Sequence, residues 1–269
     1  MSAVRADFRA AFGVRDVVVL TLDALRHDVA VAALDAGRTP TLAALCGAWE
    51  RRHSPATFTL PAHEAFFAGF FPNPESGPEE RPLALRFAGS RSVGRRTLVL
   101  DGPCLVRAFS AAGYHTICVG GTGFFNPATA LGAALPSRFA EAHWSRELGV
   151  SSPRSPRAQL HLAAARLAAL PPARRAFLFV NVSATHPPTR IFQRGATAES
   201  GATQAAALAA VDRALPPLLA ALRARGGAVG VVCADHGTLF GEDGLWGHRR
   251  AHPAVWTVPY AEFDLGAAS

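Results

Sequence analysis

Four short segments of this 269-residue chain carry side chains that could do chemistry. Asp23, His186 and Asp235-His236 each follow an apolar run, and Thr59 stands just before a helix-like pattern. Carboxylate and imidazole groups bind divalent metals, and a metal beside a threonine hydroxyl can activate it as a nucleophile. The four segments together therefore predict a metal site with a built-in nucleophile.

The elements that must position these residues alternate between strands and helices. Strand patterns cover residues 17–22, 97–100, 115–119, 176–182 and 229–233, and helix patterns cover 39–49, 61–71, 105–112, 157–170 and 203–225. This alternation predicts an α/β fold, layered α/β/α around a central, mostly parallel sheet. Ligands of such sheets bind beyond the carboxyl ends of the strands, where Asp23, His186 and Asp235 are expected. Neither exposed stretch, 72–82 or 151–156, indicates a boundary, so one domain over residues 1–269 is expected.

Each segment also has a plainer interpretation. A lone Asp23 after a strand is commonly a helix cap, and a lone His186 is commonly a loop histidine. The Thr59 hydroxyl would face free amides and the positive end of a helix dipole, which suits a phosphoryl group. It could equally be the N-cap of that helix, and spacing alone leaves both interpretations open. The coincidence of several such residues favours a site.

Composition narrows the class of partner. The formal charge is +7, yet all 27 basic residues are arginines scattered along an alanine-rich chain, which indicates composition bias. Nucleic-acid binding is therefore disfavoured, and a small anionic substrate is expected. No long uncharged apolar run appears and the first residues lack a secretory signal, so we expect no membrane span and a cytoplasmic location. The four cysteines form no CxxC pair, which disfavours a zinc ribbon.

Further motifs, in order along nearly the whole chain, resemble the alkaline phosphatase/sulfatase superfamily. The matching segments are Asp23-Ala24-Leu25-Arg26-His27-Asp28, Thr59-Leu60-Pro61-Ala62-His63, Gly113-Tyr114-His115-Thr116, Asp235-His236-Gly237, Gly241-Glu242, Trp246-Gly247-His248 and Val258-Pro259. The chain is also similar to a small bacterial hydrolase family encoded beside radical-SAM enzymes. The resemblance implies an alkaline-phosphatase-like fold.

The resemblance also implies roles for these residues. Asp23, Asp235 and His236 would bind one divalent ion, and Thr59 would be the covalent nucleophile with its oxygen on that ion. Carboxylate and imidazole ligands favour Mn²⁺ or Zn²⁺ over Ca²⁺. The expected activity is that of a metal-dependent hydrolase or transferase acting on a phosphate ester, phosphodiester or phosphonate.

Departures from the family pattern argue against a sulfatase. Sulfatases carry a Cys or Ser, converted to formylglycine, at the position of Thr59, and an Arg at the position of His63. They also carry a Lys and a His where this chain has Gly120-Gly121-Thr122-Gly123. A sulfatase-like hydrolase is therefore a disfavoured alternative. The glycine-rich segment 120–126 is interpreted as a turn, with anion binding through its amides as the alternative.

The second half of the site is open to more than one interpretation. Two-metal relatives have an Asp near the position of Asn181, so the resemblance implies one firm metal site in this chain and an optional second. His186 and His248 would bind the second metal or hold the phosphate. Weaker candidates for substrate contact are Asn181, Arg26, His63, His252 and Arg249. Because no cap domain is evident, the alternative function is a non-catalytic metal- or anion-binding partner in a biosynthetic complex.

Overall fold

A computed structural model of the protein describes residues 5–69 and 104–266. The predicted strand 97–100, the loop 72–82 and the end of the helix 61–71 lie outside the described residues. The strands are β1 Asp16–Leu22, β2 Glu50–His53, β3 His115–Val119, β4 Glu141–His143, β5 Ala176–Val182, β6 Ala228–Cys233, β7 Leu239–Phe240, β8 Trp246–Gly247 and β9 Thr257–Leu265. The α-helices are α1 Phe8–Ala11, α2 His27–Asp35, α3 Pro40–Cys46, α4 Thr59–Ala68, α5 Leu105–Ala111, α6 Ser155–Ala168, α7 Gly201–Ala214, α8 Pro216–Ala224 and α9 Pro253–Trp256. Short 3-10 helices cover Gly123–Phe125, Pro136–Arg138, Arg146–Leu148, Ser183–Thr185, Thr189–Phe192 and Glu242–Gly244.

A seven-stranded sheet with the order β2-β9-β6-β1-β5-β3-β4 forms the centre of the molecule. β1 pairs in parallel with β5 and β6, and β3 pairs in parallel with β5 and β4. β9 is antiparallel to both β6 and β2. The prediction of a central, mostly parallel sheet is therefore confirmed.

Both faces of the sheet are covered, as the continuous apolar sequence of β1 predicts. Val18 and Leu20 of β1 lie in one buried cluster with apolar residues of α2, α3, α6, α7 and α8. Val17 lies in the other, which is rich in phenylalanine and includes residues of α1, α4 and α5. Because side chains alternate between the two faces of a strand, one short sequence contributes to both cores. The layered α/β/α architecture is confirmed.

Several helix ends differ from the predicted ones because local backbone chemistry decides them. α3 ends before Gly47, which has a φ of 75°, and α4 ends before Gly69 in the left-handed conformation. The predicted helix 203–225 is two helices, α7 and α8, which meet at Leu215. The second begins with Pro216, and proline is favoured in the first turn of a helix.

The sequence patterns missed β9, the longest strand among the described residues. It contains Pro259 and alternates apolar residues with Glu262 and Asp264, which isolated patterns do not favour in a strand. Its buried and partly exposed positions alternate as expected for the antiparallel margin of a sheet.

The α7–α8 segment, Gly201–Ala224, is long and apolar enough to cross a membrane by composition alone. However, 61% of its apolar window is buried inside the molecule. Asp212 within it accepts hydrogen bonds from the backbone N–H groups of Thr41 and Leu42, at 3.2 and 2.7 Å. Apolar residues of both helices also lie in the buried cluster that contains Val18 and Leu20 of β1, so this segment forms part of the core of the described fold.

Candidate active site

The ends of β1 and β6 bring the metal-type side chains to one edge of the sheet. Thr21 of β1 lies beside Cys233 of β6 in the parallel register. Asp23 and Asp235, each two residues further along, therefore lie side by side. The backbone N–H of Asp23 donates to the carbonyl of Val182 at 3.1 Å, which ties this edge to the end of β5.

Three buried side chains form a cluster that fits a divalent cation. One ligand atom from each of Asp23, Asp235 and His236 lies within 4.8 Å of the other two. His236 Nε2 is 3.7 Å from Asp23 Oδ1 and 3.5 Å from Asp235 Oδ2, and neither of these buried oxygens accepts a hydrogen bond from the described residues. His236 Nδ1 donates to the Gly237 carbonyl at 2.8 Å, which leaves the Nε2 lone pair for a metal. Unpaired buried carboxylate oxygens require a compensating charge.

The electrostatics of the three groups agree with this assignment. Burial, followed by the charge of Asp235, raises the pKa of Asp23 to about 6. Burial raises the pKa of Asp235 to about 7 and lowers the pKa of His236 to about 4. The imidazole is thus neutral near pH 7, as a metal ligand must be, and a bound cation would favour the ionised carboxylates.

Thr59 lies directly against this cluster. Its hydroxyl donates to Asp23 Oδ2 at 3.4 Å and is 3.4 Å from His236 Nε2. Thr59 is the first residue of α4, and Phe58 occupies the N-cap position. The interpretation of Thr59 as the N-cap residue is therefore wrong. The hydroxyl lies between the candidate ligands, at the N-terminus of a helix.

Asn181, expected as a weak substrate contact, holds Asp23 in place. Its Nδ2 donates to Asp23 Oδ2 at 2.8 Å, and its Oδ1 accepts from the Thr122 N–H at 3.0 Å. The Thr185 hydroxyl adds a hydrogen bond to the Asp23 carbonyl at 2.8 Å. Both ends of the Asn181 amide are occupied by protein atoms, so its observed role is to orient the carboxylate.

The residue after Asp23 and its partner were missed by the sequence analysis. Ala24 has a φ of 60°, an uncommon conformation for a residue with a Cβ. Its N–H donates to Asp235 Oδ1 at 3.0 Å, and its carbonyl accepts from Gln204 Nε2 at 2.8 Å. Gln204 is on α7, far from the metal motifs in sequence, and no motif marks it.

His63 lies behind Thr59 and does not line the cavity next to that residue. Its side chain is 0% exposed, and its ring packs edge-on against Phe125 and Phe179. Nδ1 donates to the Thr59 carbonyl at 2.7 Å and is 3.7 Å from Asp235 Oδ2. This placement contradicts the expectation that His63 contacts substrate.

Two other weak candidates take part in structural contacts. The Arg26 guanidinium donates to both carboxylate oxygens of Asp28, at 2.9 and 2.6 Å, and also binds Glu242. His252 Nδ1 accepts the Ala254 N–H at 3.0 Å and so caps α9. Neither side chain lines the cavity next to Thr59.

That cavity, of about 390 Å³, is lined by Thr59, His186 and His248 among others. The rings of His186 and His248 are 5.3 Å apart, and those of His248 and His236 are 4.6 Å apart. His186 Nδ1 donates to the Pro187 carbonyl at 2.6 Å, so its Nε2 is the nitrogen available to a ligand. The structure therefore brings both histidines of the predicted second half-site to the cavity that Thr59 lines.

Comparisons with known proteins identify the fold. No family model and no curated protein sequence matches the chain. Its fold is similar to the C-terminal periplasmic domain of EcEptC from Escherichia coli in complex with Zn, with TM-score 0.63 and 14% identity over 93% of this chain and 73% of that one. It is also similar to the soluble domain of lipooligosaccharide phosphoethanolamine transferase A from Neisseria meningitidis, with TM-score 0.64 and 15% identity over 93% of this chain and 76% of that one. A third similar structure is an alkaline phosphatase superfamily protein from Vibrio parahaemolyticus, with TM-score 0.57 and 16% identity over 94% of this chain and 60% of that one.

The chain thus has the alkaline-phosphatase-like α/β fold that the motifs predict. Solved structures with this fold include a phosphoethanolamine transferase domain and a zinc complex. The similarity is one of fold, and the descriptions of these three structures name a zinc complex, a phosphoethanolamine transferase and a protein of the alkaline phosphatase superfamily.

Proposed function

We propose that this chain is a metal-dependent enzyme that transfers or hydrolyses the phosphoryl group of a phosphate ester, phosphodiester or phosphonate, with Thr59 as its nucleophile. The observation that carries the proposal is the position of the Thr59 hydroxyl, 3.4 Å from both Asp23 Oδ2 and His236 Nε2. A threonine hydroxyl is a weak nucleophile unless it is activated, and a hydroxyl among metal ligands meets that condition.

Asp23, Asp235 and His236 would hold Zn²⁺ or Mn²⁺, since they combine carboxylate and imidazole donors. When bound, the cation would lower the pKa of the adjacent hydroxyl and offset negative charge that develops on the phosphoryl oxygens. The solved relative from Escherichia coli is a zinc complex, which supports a divalent metal of this kind.

The residues of the chain would carry out a two-step transfer. Thr59 Oγ1 loses its proton and forms a bond to phosphorus, while the bond from phosphorus to the leaving alcohol breaks and that oxygen takes up a proton. Water, or a second alcohol in a transferase, then loses a proton and forms a bond to phosphorus, while the bond from phosphorus to Thr59 Oγ1 breaks and that oxygen takes up a proton. His186 and His248 line the same cavity and offer imidazole nitrogens for these proton transfers.

Replacement of Thr59 tests the proposal. Thr59→Ala should lower turnover of phosphate esters by at least about a thousandfold, while Thr59→Ser should retain part of it, because serine keeps the hydroxyl. Thr41→Ala on α3 is the matched control, and its turnover of phosphate esters should equal that of the wild type. Turnover should also vanish with a chelator and return with Zn²⁺ or Mn²⁺.

Mass spectrometry of the peptide that contains Thr59 should reveal a trapped phosphoryl group. If Thr59→Ala turns over substrate like the wild type, Thr59 is not the nucleophile. If the metal-loaded wild type hydrolyses nothing in a broad panel of monoesters, diesters and phosphonates, the non-catalytic alternative is favoured.

A further inference from the structure

The cavity beside Thr59 has a one-sided charge. Its lining residues in the described part of the chain include Thr59, Thr122, His186, His248 and Arg249. None of the described lining residues is acidic. When a cation offsets the neighbouring carboxylates of Asp23 and Asp235, a ligand with negative charge is therefore favoured in this cavity, and a ligand with a positive group finds no carboxylate among the lining residues.

Thr122 is one of the residues that line this cavity, and its hydroxyl is unsatisfied among the described residues. The residue is 5% exposed, and its Oγ1 is buried without a hydrogen-bond partner among the described residues. Its backbone is fully used, since the N–H donates to Asn181 Oδ1 at 3.0 Å and the carbonyl accepts from Trp144 Nε1 at 3.1 Å. A buried hydroxyl without a partner costs free energy, and a ligand oxygen in the cavity would remove that cost.

Arg249 is held at the same cavity by its backbone and by two rings. Its φ of 69° is uncommon for a residue with a side chain, and its N–H donates to the Thr57 carbonyl at 2.8 Å. The guanidinium carbon lies 4.7 Å from the ring centre of Phe58, the residue before Thr59, and 6.0 Å from that of Phe124. These contacts direct the guanidinium along the wall of the cavity.

Arg249 brings a positive charge to the wall that it shares with Thr59. Its guanidinium stays charged at all ordinary pH values. The field of Arg249 is therefore present in the cavity where the phosphoryl group would react.

We propose that Arg249 and the Thr122 hydroxyl form an anion subsite beside Thr59, which selects phosphate esters with net negative charge over esters whose headgroup carries an ammonium. This inference rests on the proposed function and names its substrate class. The guanidinium donates to two phosphoryl oxygens, and Thr122 Oγ1 donates to one. An ammonium headgroup would meet the guanidinium, which already covers the aromatic rings that could otherwise attract it.

Phosphate binding tests the subsite without any turnover. The probe is inorganic phosphate, titrated calorimetrically into protein loaded with one equivalent of Zn²⁺ and into metal-free protein. Arg249→Ala should weaken the Kd for phosphate roughly 10- to 100-fold and Thr122→Val about 3- to 10-fold. The Kd of Arg249→Lys for phosphate should lie between those of the wild type and Arg249→Ala. The control is Arg154→Ala, whose side chain is 81% exposed, and it should bind like the wild type.

Three substrates with the same nitrophenolate leaving group test selectivity: p-nitrophenyl phosphate, bis-p-nitrophenyl phosphate and p-nitrophenyl phosphorylcholine. The wild type should prefer the two anionic esters by kcat/KM. Arg249→Ala should reduce that preference by at least about tenfold, because it removes a cation and uncovers Phe58 and Phe124. Circular dichroism and the Tm establish that each variant is folded.

The two proposals fail in different ways. Equal phosphate affinity for Arg249→Ala and the wild type, or no measurable phosphate binding by the wild type, overturns the subsite whatever the turnover. An unchanged substrate preference in Arg249→Ala also overturns it. Retained turnover in Thr59→Ala overturns the proposed nucleophile and leaves the phosphate titration unaffected.

Discussion

At the scale of single residues, the proposed nucleophile Thr59 is hydrogen-bonded through its carbonyl to a fully buried histidine, His63. Burial lowers the pKa of His63 to about 3, so its ring is neutral. Nδ1 faces the Thr59 carbonyl and the Asp235 carboxylate, which are both acceptors, so Nδ1 carries the proton. Nε2 then accepts from the Thr21 hydroxyl at 3.0 Å. One imidazole thus links β1, α4 and a candidate metal ligand.

Replacing His63 should therefore affect catalysis more than substrate binding. His63→Phe keeps an aromatic ring among Phe125 and Phe179 but removes the donor to the Thr59 carbonyl. We expect a loss of about 1–3 kcal/mol in the free energy of unfolding, measured in urea. We expect kcat to fall roughly 10- to 100-fold with a smaller change in KM, since the nucleophile moves while the cavity stays.

The amide variant His63→Asn retains a donor and should recover part of the kcat. A merely structural role would lower the stability of both variants equally and leave the kcat of folded protein unchanged. Steady-state kinetics on phosphate esters at matched fractions of folded protein would distinguish the two.

At the scale of elements, the loops after β3 and β5 support the site by packing closely on each other. A Cβ on Gly121 would lie 2.5 Å from the Ser183 Cβ and 2.6 Å from the Asn181 carbonyl oxygen. The next residue, Thr122, donates its N–H to Asn181, which in turn holds Asp23. The glycine-rich segment is therefore needed for close approach of two loops, and this contact reaches the candidate metal ligand.

Gly121→Ala should disturb the site from outside it. The added methyl group has to displace the backbone of Asn181, so we expect a loss of about 1–3 kcal/mol in unfolding free energy. Metal affinity, measured by calorimetry, should fall because Asp23 loses its fixed orientation. Gly266→Ala, where a Cβ meets nothing within 4 Å, is the control. Wild-type metal affinity in Gly121→Ala would show that the loop contact does not position Asp23.

The same elements show how far sequence alone reaches. Asp23 and Asp235-His236 are predictable because each directly follows a strongly apolar strand, and parallel strands end at one edge. The role of Asn181 is not predictable in this way, because its contact with Asp23 depends on the strand register that pairs Thr21 with Asn181. Pair registers arise from the packing of the whole sheet, and single-strand patterns do not contain them.

At the scale of the whole molecule, the chain carries a formal charge of +7 yet buries two neighbouring acidic groups at its centre. Asp16, in contrast, is buried with a partner, since Arg225 binds it at 2.7 Å. Asp23 and Asp235 each leave one oxygen unpaired among the described residues. The free energy of folding should therefore depend on a cation at this site, and on pH when the cation is removed.

Asp235→Asn isolates this coupling between site and fold. The raised pKa of Asp235, about 7, means that the folded metal-free protein holds a proton that the unfolded chain releases near pH 4. The unfolding free energy of the metal-free wild type should thus fall relative to Asp235→Asn as pH rises from about 4 to 7, by up to about 1.4 kcal/mol per pH unit. The asparagine keeps the Oδ1 acceptor for Ala24 and His236, so the fold is preserved.

Zn²⁺ should raise the Tm of the wild type and not of the Asp235→Asn variant. Parallel pH curves for the two metal-free proteins in urea titrations would mean that the pKa of Asp235 is not raised by folding. An equal Tm rise with Zn²⁺ would mean that Asp235 is not a metal ligand.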